Sequence, residues 1–258
     1  MTRILAIHAH PDDIETLCAG TLALLAGQGH AITIATVTAG DCGALDTGNA
    51  ETARIRKAEA AAAAALIGAD YMCLDVPDLS VFVDDPTRRK VTEAIRVARP
   101  ELVITASPVD YHPDHEATSA LVRDACFAAP VPNYRTGSAK ILPSIPHLYF
   151  CDPIAGRDRE NNRVMAEFAV DVAPFFEMKK EMLRLHKSQA AWEKKQHGLD
   201  DYVAAMAEWT KRRGHHFGVG FAEGFRQYRT HPYPASSLLQ ELTGAALIHV
   251  KSGRAASQ

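Results

Sequence analysis

The stretch ILAIHAHPDDIETL, Ile4–Leu17, contains the step from strand to helix that sets the fold. Its first residues, Ile4–Ile7, are aliphatic and β-branched, which is typical of a buried strand. The leucines of Glu15–Gln28 then follow a helical spacing, and Gly29 ends the pattern. A strand that passes into a helix through a polar loop is the first unit of an α/β protein.

The same unit recurs along the chain. Four more strands are predicted, at Ala31–Gly40, Tyr71–Val76, Glu101–Ser107 and His147–Asp152. Helices are predicted at 51–67, 85–98 and 115–128, and further ones near 174–190 and 200–213. This alternation predicts an α/β fold with a Rossmann-like parallel sheet and helices on both faces, since crossovers are almost always right-handed. We expect the order 3-2-1-4-5 for the first five strands, which reverses between strands one and four.

The length of 258 residues fits one domain, and neither repeats nor a linker divide the chain. We therefore expect a single domain over residues 1–258. Prolines concentrate in residues 129–146, which predicts an irregular segment at the rim of a substrate site. The tail after about residue 226 shows turn residues and little periodicity, so we expect it to be irregular.

Composition excludes several classes of function. The net charge of −3 is too small to favour nucleic acid or a membrane surface as partner. No apolar run reaches the roughly 18 residues of a membrane span, so we expect no integral membrane segment. The beginning of the chain reads as a strand rather than a signal peptide, which predicts a cytoplasmic protein. The five cysteines are scattered and form no CxxC pair, which argues against disulfides and a thiolate metal site.

Two His-Pro-Asp motifs follow two of the predicted strands. HAHPDD, His8–Asp13, follows strand one, and YHPDHE, Tyr111–Glu116, follows strand four. Ligands of such sheets bind beyond the carboxyl ends of the strands, at the point where the strand order reverses. The predicted order therefore places the two motifs on opposite sides of one crevice.

The residue types of these motifs suit metal-assisted hydrolysis. A catalytic zinc site takes three His or carboxylate ligands and keeps one position open for water, and His10, Asp13 and His115 could supply them. Asp12 would then accept the proton of the water. His112 would face the substrate carbonyl, with Asp114 holding its ring and favouring the charged form.

Spacing alone does not choose His10 over His8. Alternation along a strand would point both side chains to the same side. His8 lies within the predicted strand, whereas His10 follows it, and functional groups favour strand ends and loops. We therefore interpret His8 as a core histidine.

Together the motifs resemble a known family. AHPDDIE, Ala9–Glu15, with HPDHEAT, His112–Thr118, is similar to the PIG-L/LmbE-like zinc-dependent N-deacetylases, which act on N-acetylglucosaminyl conjugates. The resemblance extends to the stretches Val37–Gly43, Arg56–Asp70, Leu74–Val81, Glu177–Gln189 and Gly218–Arg226. It therefore covers most of the chain, although each short motif alone would be weak.

The resemblance implies a role for each matching position. It implies metal ligation by His10, Asp13 and His115, and a general base at Asp12. It implies that His112 stabilises the oxyanion or protonates the leaving amine, with Asp114 as its orienting partner, and that Arg56 and Asp78 contact the sugar. Zn²⁺ is the implied cofactor, and Fe²⁺ also suits two histidines and a carboxylate. The implied partners are an amino-sugar conjugate as substrate and further copies of the chain in a homo-oligomer.

Other interpretations remain open at this point. Arg56 could be a solvated helix charge, and Asp78 could only shape a turn. The chain could be another metal-assisted amide hydrolase, or a sugar-binding module of the same fold without turnover, although such a module would not need Asp12. A Rossmann oxidoreductase is disfavoured because no GxGxxG follows strand one. The pair His215–His216 has no carboxylate nearby in the sequence, so we interpret it as a surface pair.

Overall fold

The computed structural model describes residues 1–198 and 201–249, except for the side chains at 191, 196 and 197. The strands are β1 Arg3–His8, β2 Ala31–Thr38, β3 Asp70–Val76, β4 Leu102–Thr105, β5 His147–Cys151, β6 Phe168–Asp171, β7 Ala222–Tyr228 and β8 Leu247–His249. The α-helices are α1 Asp13–Leu17, α2 Ala19–Gly27, α3 Asn49–Ala65, α4 Asp85–Ala98, α5 Pro113–Ala128, α6 Phe176–Arg184, α7 Lys187–His197, α8 Tyr202–Phe217 and α9 Leu238–Thr243. Within these described ranges, no helix combines the length and the apolar composition needed to cross a membrane.

All eight strands belong to one sheet in the order β3-β2-β1-β4-β5-β7-β6-β8. The first five strands pair in parallel, which confirms the predicted order 3-2-1-4-5. The sheet is nevertheless mixed, because β7 pairs antiparallel with β5 and with β6, and β6 pairs antiparallel with β8. The predicted parallel sheet is thus confirmed for the first five strands, and the structure adds three strands that the sequence analysis did not predict.

The central strands are buried on both faces, which explains their nearly continuous apolar sequence. In β1, Ile4 and Ala6 belong to the apolar cluster that includes α2 residues, on one side of the sheet. Leu5 and Ile7 belong to the cluster that includes α4 and α5 residues, on the other side. Since successive strand residues point to opposite faces, this alternation places β1 between two helical layers.

The proline-rich segment 129–146 packs along α4. It joins the end of α5 to the beginning of β5, so it lies at the amino edge of the parallel strands, where the His147 N–H donates to the Glu101 carbonyl at 3.0 Å. The Arg96 guanidinium on α4 binds the carbonyls of Ala129 and Tyr134 at 3.0 and 2.9 Å. The two His-Pro-Asp motifs begin at the carboxyl edge, and the role of this segment as a substrate rim stays a prediction.

The chain beyond residue 226 is more regular than predicted. It contains the end of β7, α9 and β8, and β8 forms the edge of the sheet. Leu239 on α9 is fully buried, and the Tyr149 hydroxyl donates to Gln240 Oε1 at 2.8 Å. The expectation of an irregular tail is therefore wrong up to residue 249, and residues 250–258 lie outside the described part of the chain.

Candidate active site

The two motifs meet at the carboxyl edge of the sheet. β1 and β4 are parallel neighbours, with Ile7 opposite Thr105, so the loops that follow them leave the sheet side by side. The Nδ1 atom of His10 lies 3.2 Å from the Nε2 atom of His115. The strand reversal therefore brings together side chains that are 105 residues apart in the sequence.

The backbone of the first motif directs two neighbouring aspartates to different places. Asp12 has φ 97° and ψ −22°, a left-handed conformation that costs free energy for any residue with a side chain. Its carbonyl accepts the N–H of Thr16 at 2.9 Å and so begins α1. As a result, Asp13 faces the histidines, whereas Asp12 faces Arg56 and Tyr202.

Three donor groups converge at the centre of the site. His10 Nδ1 lies 3.3 Å from Asp13 Oδ2, and His115 Nε2 lies 3.3 Å from Asp13 Oδ1. The two nitrogens lie 3.2 Å apart, and each faces a different oxygen of Asp13. A tetrahedral ion bound at about 2.0–2.1 Å separates its ligand atoms by about 3.3 Å, which is close to these distances.

The outer nitrogens of both histidines face carboxylates. His10 Nε2 lies 3.0 Å from Asp78 Oδ1. His115 Nδ1 lies 3.2 Å from Asp110 Oδ1, within ion-pair distance although the N–H is not aligned for a hydrogen bond. These partners favour a proton on each outer nitrogen and a lone pair on each inner one, as around protein-bound zinc. Two lone pairs and the carboxylate of Asp13 then face one another, an arrangement that a bound cation would stabilise.

The electrostatics of the cluster favour positive charge. Burial opposes the charged form of His115, but Asp13 and Asp110 outweigh it and raise its pKa to about 9. Burial likewise opposes the charged form of His10, yet its contacts with carboxylates hold its pKa well above the ordinary value. The pKa of Asp13 stays well below its ordinary value despite burial, because His115 and His8 lie against it.

His8 is buried, as expected of a core residue, and it also contacts the site. Its Nδ1 atom lies 2.6 Å from Asp13 Oδ2, which is the distance of a hydrogen bond rather than of two ligands sharing an ion. Its Nε2 atom has no hydrogen-bond partner among the described residues. Donor atoms of His8, Asp13 and His115 lie within 4.8 Å of one another, as do those of His10, His112 and His115. The convergence of the donor atoms of His10, Asp13 and His115 favours these three as ligands.

Asp12 is held apart from the histidines. The Tyr202 hydroxyl donates to its Oδ2 atom at 2.7 Å, and Arg56 Nη2 lies 3.5 Å from its Oδ1 atom. Burial raises the pKa of Asp12 to about 6, although the charge of Arg56 opposes this rise. These contacts fix the Asp12 carboxyl group in position, beside the ligands predicted in the first motif, His10 and Asp13.

Arg56 is a buried support rather than a solvated helix charge. It is 3% exposed, and its two terminal nitrogens donate to the carbonyls of Gly40 and Pro11 at 2.8 Å each. Gly40 has φ +65°, and a Cβ atom there would collide with the guanidinium. Arg56 therefore joins the loops after β1 and β2 beneath Asp12. Its predicted contact with a sugar stays a prediction, as does that of Asp78.

The Asp114 carboxylate was expected to hold the His112 ring, but in the structure it contacts other groups. His112 Nδ1 accepts the main-chain N–H of Asp114 at 3.2 Å, whereas the Asp114 carboxylate accepts the N–H of Leu79 at 2.9 Å and lies 3.6 Å from His10 Nε2. Burial and the charges of His10 and His115 lower the pKa of His112 to about 4. In the structure the main-chain N–H of Asp114, and not its carboxylate, contacts the His112 ring, and the predicted role of Asp114 stays a prediction.

Two residues of the site escaped the sequence analysis. Asp110, which is fully buried beside His115, stands two positions before His112, so proximity to the motif could have revealed it. Tyr202 lies 190 residues from Asp12, on α8, and no local pattern connects them. Both residues position other side chains of the site.

Residues 5–126 match the family described as PIG-L, GlcNAc-PI de-N-acetylase. These residues form a PIG-L domain. The matched range contains both His-Pro-Asp motifs and the three predicted ligands. Tyr202 lies beyond it, in the part of the chain that follows the PIG-L match.

The relatives of this chain include enzymes of two kinds. The chain is 26% identical over 241 residues to diacetylchitobiose deacetylase of Thermococcus kodakarensis, covering 86% of this chain and 84% of that protein. It is 29% identical over 157 residues to 4-oxalmesaconate hydratase of Pseudomonas putida, covering 58% of this chain and 60% of that protein. Among solved structures, a conserved protein of Thermus thermophilus is similar with a TM-score of 0.73 and 27% identity, over 91% of this chain and 98% of the other.

Proposed function

We propose that this chain is a metal-dependent N-deacetylase that hydrolyses the acetyl amide of an N-acetylglucosamine-type glycoside or a related acetamide. The observation that carries the proposal is the convergence of the donor atoms of His10, Asp13 and His115, with a separate carboxylate at Asp12. Amide hydrolysis by metal-activated water needs both parts: a three-ligand site and a base that does not bind the metal. The similarity to a deacetylase over most of the chain supports this choice.

The residues present fit a divalent metal. His10 Nδ1, Asp13 and His115 Nε2 would hold it, and two imidazoles with one carboxylate suit Zn²⁺ and Fe²⁺ alike. When bound, such an ion polarises the amide carbonyl and lowers the pKa of water. Asp78 and Asp110 orient the two imidazoles, which stabilises the ligand tautomer before any metal arrives.

Asp12 would act as the base. It removes a proton from water while the water oxygen forms a bond to the acetyl carbon. The carbon–nitrogen bond then breaks, and the proton passes to the departing amine nitrogen, so that acetate and a free amine leave. Tyr202 and Arg56 keep the carboxylate oriented throughout, since each contacts one of its oxygens.

His112 would stabilise the negative charge that develops on the carbonyl oxygen. Because its Nδ1 atom accepts the Asp114 main-chain N–H, the neutral ring carries its proton on Nε2. The ring lies 4.8 Å, between centroids, from each of the rings of His10 and His115. It therefore offers an N–H donor beside the metal ligands, which is the requirement for stabilising an oxyanion.

The exposed side chains beside the second motif favour an amide over a carboxylated substrate. Leu79 and Tyr111 are 60% and 56% exposed, and both contact the second motif: the Leu79 N–H donates to Asp114, and the Tyr111 ring centroid lies 5.6 Å from that of His112. Apolar side chains at this place suit a neutral group. Arg56, the cation beside Asp12, is occupied by carbonyl groups.

The test is the release of amine from acetamide substrates. Purified protein loaded with Zn²⁺ or Fe²⁺ is incubated with N-acetylglucosamine glycosides, with and without chelator, and new amine is detected with fluorescamine. We expect metal-dependent release. A metal-loaded protein that releases no amine from any acetamide would support a sugar-binding module, and hydration of a carboxylated diene, measured in parallel by loss of its absorbance, would support a hydratase instead.

Two further expectations belong to this proposal. We propose a cytoplasmic location, which cell fractionation tests, and a homo-oligomer, which light scattering of the purified protein tests. A monomeric scattering mass over the working concentration range would refute the second.

A further inference from the structure

A cavity of about 470 Å³ adjoins α1, next to the predicted site. Thr16 and Leu17, at the end of the helix that Asp13 begins, form part of its wall. Other lining residues directly follow β5, begin β7 or lie in the second half of α8. None of the predicted ligands or catalytic residues is among its lining residues in the described part of the chain, and its volume is typical of a small-molecule site.

Basic side chains dominate this cavity, and its carboxylates are already paired. The Arg213 Nε atom lies 2.5 Å from Asp152 Oδ2. The Lys179 ammonium lies 2.6 Å from Glu223 Oε1, and both of these side chains are 1% exposed. The remaining lining arginines, Arg157, Arg163 and Arg212, take no part in these two pairs.

Two of the three remaining arginines have weak partners. Arg212 lies 4.0 Å from Glu208, and both side chains are more than half exposed, so this pair contributes little. Arg157 donates from Nη1 to the Asn161 carbonyl at 2.6 Å, which leaves the rest of its guanidinium available. Residues 157 and 163 face each other in an antiparallel β-bridge. Like charges directly opposite each other are destabilising, so an anion between them would remove a cost of the folded state.

The wall beside these arginines has an unusual backbone. Ala155 has φ 56° and ψ 8°, in the left-handed region that residues with side chains rarely adopt. The next residue, Gly156, has φ +68°, and a Cβ atom there would lie 2.9 Å from Arg213 Nη2. The backbone thus approaches the buried Arg213–Asp152 pair closely, and residues in such conformations are concentrated at functional sites.

Aromatic and imidazole groups complete the lining. Trp209 is half-buried on α8, and His215 and His216 lie at the end of the same helix. We propose that this cavity binds a small organic phosphate, with its anionic group at Arg157, Arg163 and Arg212 and its ring against Trp209. Arginine suits phosphate because its planar N–H groups form paired hydrogen bonds with phosphate oxygens. The surface pair at residues 215–216 then contributes further donors.

The proposal is tested by calorimetric titration of the whole protein with AMP, glucose 6-phosphate, inorganic phosphate and adenosine at low ionic strength. We expect saturable binding of at least one phosphate ester, and at least about tenfold weaker binding of adenosine than of AMP. The double variant Arg163→Ala/Arg212→Ala should weaken phosphate-ester binding at least about tenfold. Arg54→Ala is the matched control, since Arg54 is an exposed arginine paired with Glu51 outside the cavity.

Four results would overturn the proposal. The first is no saturable binding of any phosphate up to about 1 mM, the weak end of specific affinities. The second is adenosine binding as tightly as AMP. The third is equal binding by the double variant and the wild type, with matching thermal unfolding. The fourth is binding that survives in the double variant and disappears with chelator, which would place the phosphate at the metal ligands. All readouts are independent of amide hydrolysis, so the outcome does not depend on the proposed deacetylase activity.

Discussion

Tyr202→Phe is expected to lower kcat about 10- to 150-fold while leaving metal content and fold unchanged. The hydroxyl donates to Asp12 Oδ2 at 2.7 Å, and the accepting carboxyl group is 6% exposed. A hydrogen bond to a charged group contributes about 1.5–3 kcal/mol. At about 1.36 kcal/mol per tenfold change in rate, losing it corresponds to the stated range. The phenyl ring retains the packing of the tyrosine, so the change isolates the hydroxyl.

The assay is steady-state amine release, with metal content measured by elemental analysis. Tyr134→Phe is the matched control, because the Tyr134 hydroxyl also donates to a carboxylate, at 3.2 Å from Asp85, away from the predicted site. We expect that control to keep wild-type kcat. A Tyr202→Phe protein with wild-type kcat and KM would refute the argument that this hydroxyl holds the base, and an equal loss in both variants would show a general structural effect.

Four further changes test other parts of the structure. Asp12→Ala should lower turnover at least about 100-fold, with metal content and circular dichroism unchanged. His115→Ala should lose the metal in elemental analysis, because it removes one of three ligands. Asp110→Asn should weaken metal binding about 10- to 100-fold in a chelator competition, since this carboxylate orients His115. Lys179→Met should lower the free energy of unfolding by about 3–5 kcal/mol in a urea titration, because Glu223 would remain buried without its partner.

Each of these four predictions would be contradicted by a specific result. An Asp12→Ala enzyme with full activity would rule out this residue as the base. Full metal content in His115→Ala would remove His115 from the ligand set. Metal affinity unchanged by Asp110→Asn would mean that the imidazole needs no orienting carboxylate. Wild-type urea unfolding of Lys179→Met would show that Glu223 is stabilised by the Gly20 and Thr21 N–H groups alone.

The parallel half of the fold was predictable because local signals and periodicity agree there. Residues 85–98 form α4 as predicted: the Asp84 side chain accepts the Thr87 N–H at 2.8 Å, and Pro86 occupies the first turn. β7 gives no such signal, since AEGFRQY has no regular alternation and includes the buried charge of Glu223. Its strand conformation depends on pairing with β5 and β6, which a local pattern does not encode.

The candidate site was predictable at the level of motifs and not at the level of contacts. Spacing and resemblance indicated His10, Asp13 and His115, whose donor atoms do converge in the structure. They did not indicate which carboxylate contacts which ring. The Asp78 side chain reaches His10 because β3 lies two strands away from β1 at the same edge, and such a contact depends on loop geometry after the sheet has formed.

The assembly of the ligand set from separate strands has a consequence for folding. His10 follows β1, its partner Asp78 follows β3, and His115 follows β4, so a high-affinity centre requires four neighbouring strands in register. Contacts over such sequence separations form late, because loop closure must precede them. We therefore expect metal uptake during refolding to coincide with the slowest phase, which makes a metal-sensitive dye a reporter of the completed sheet.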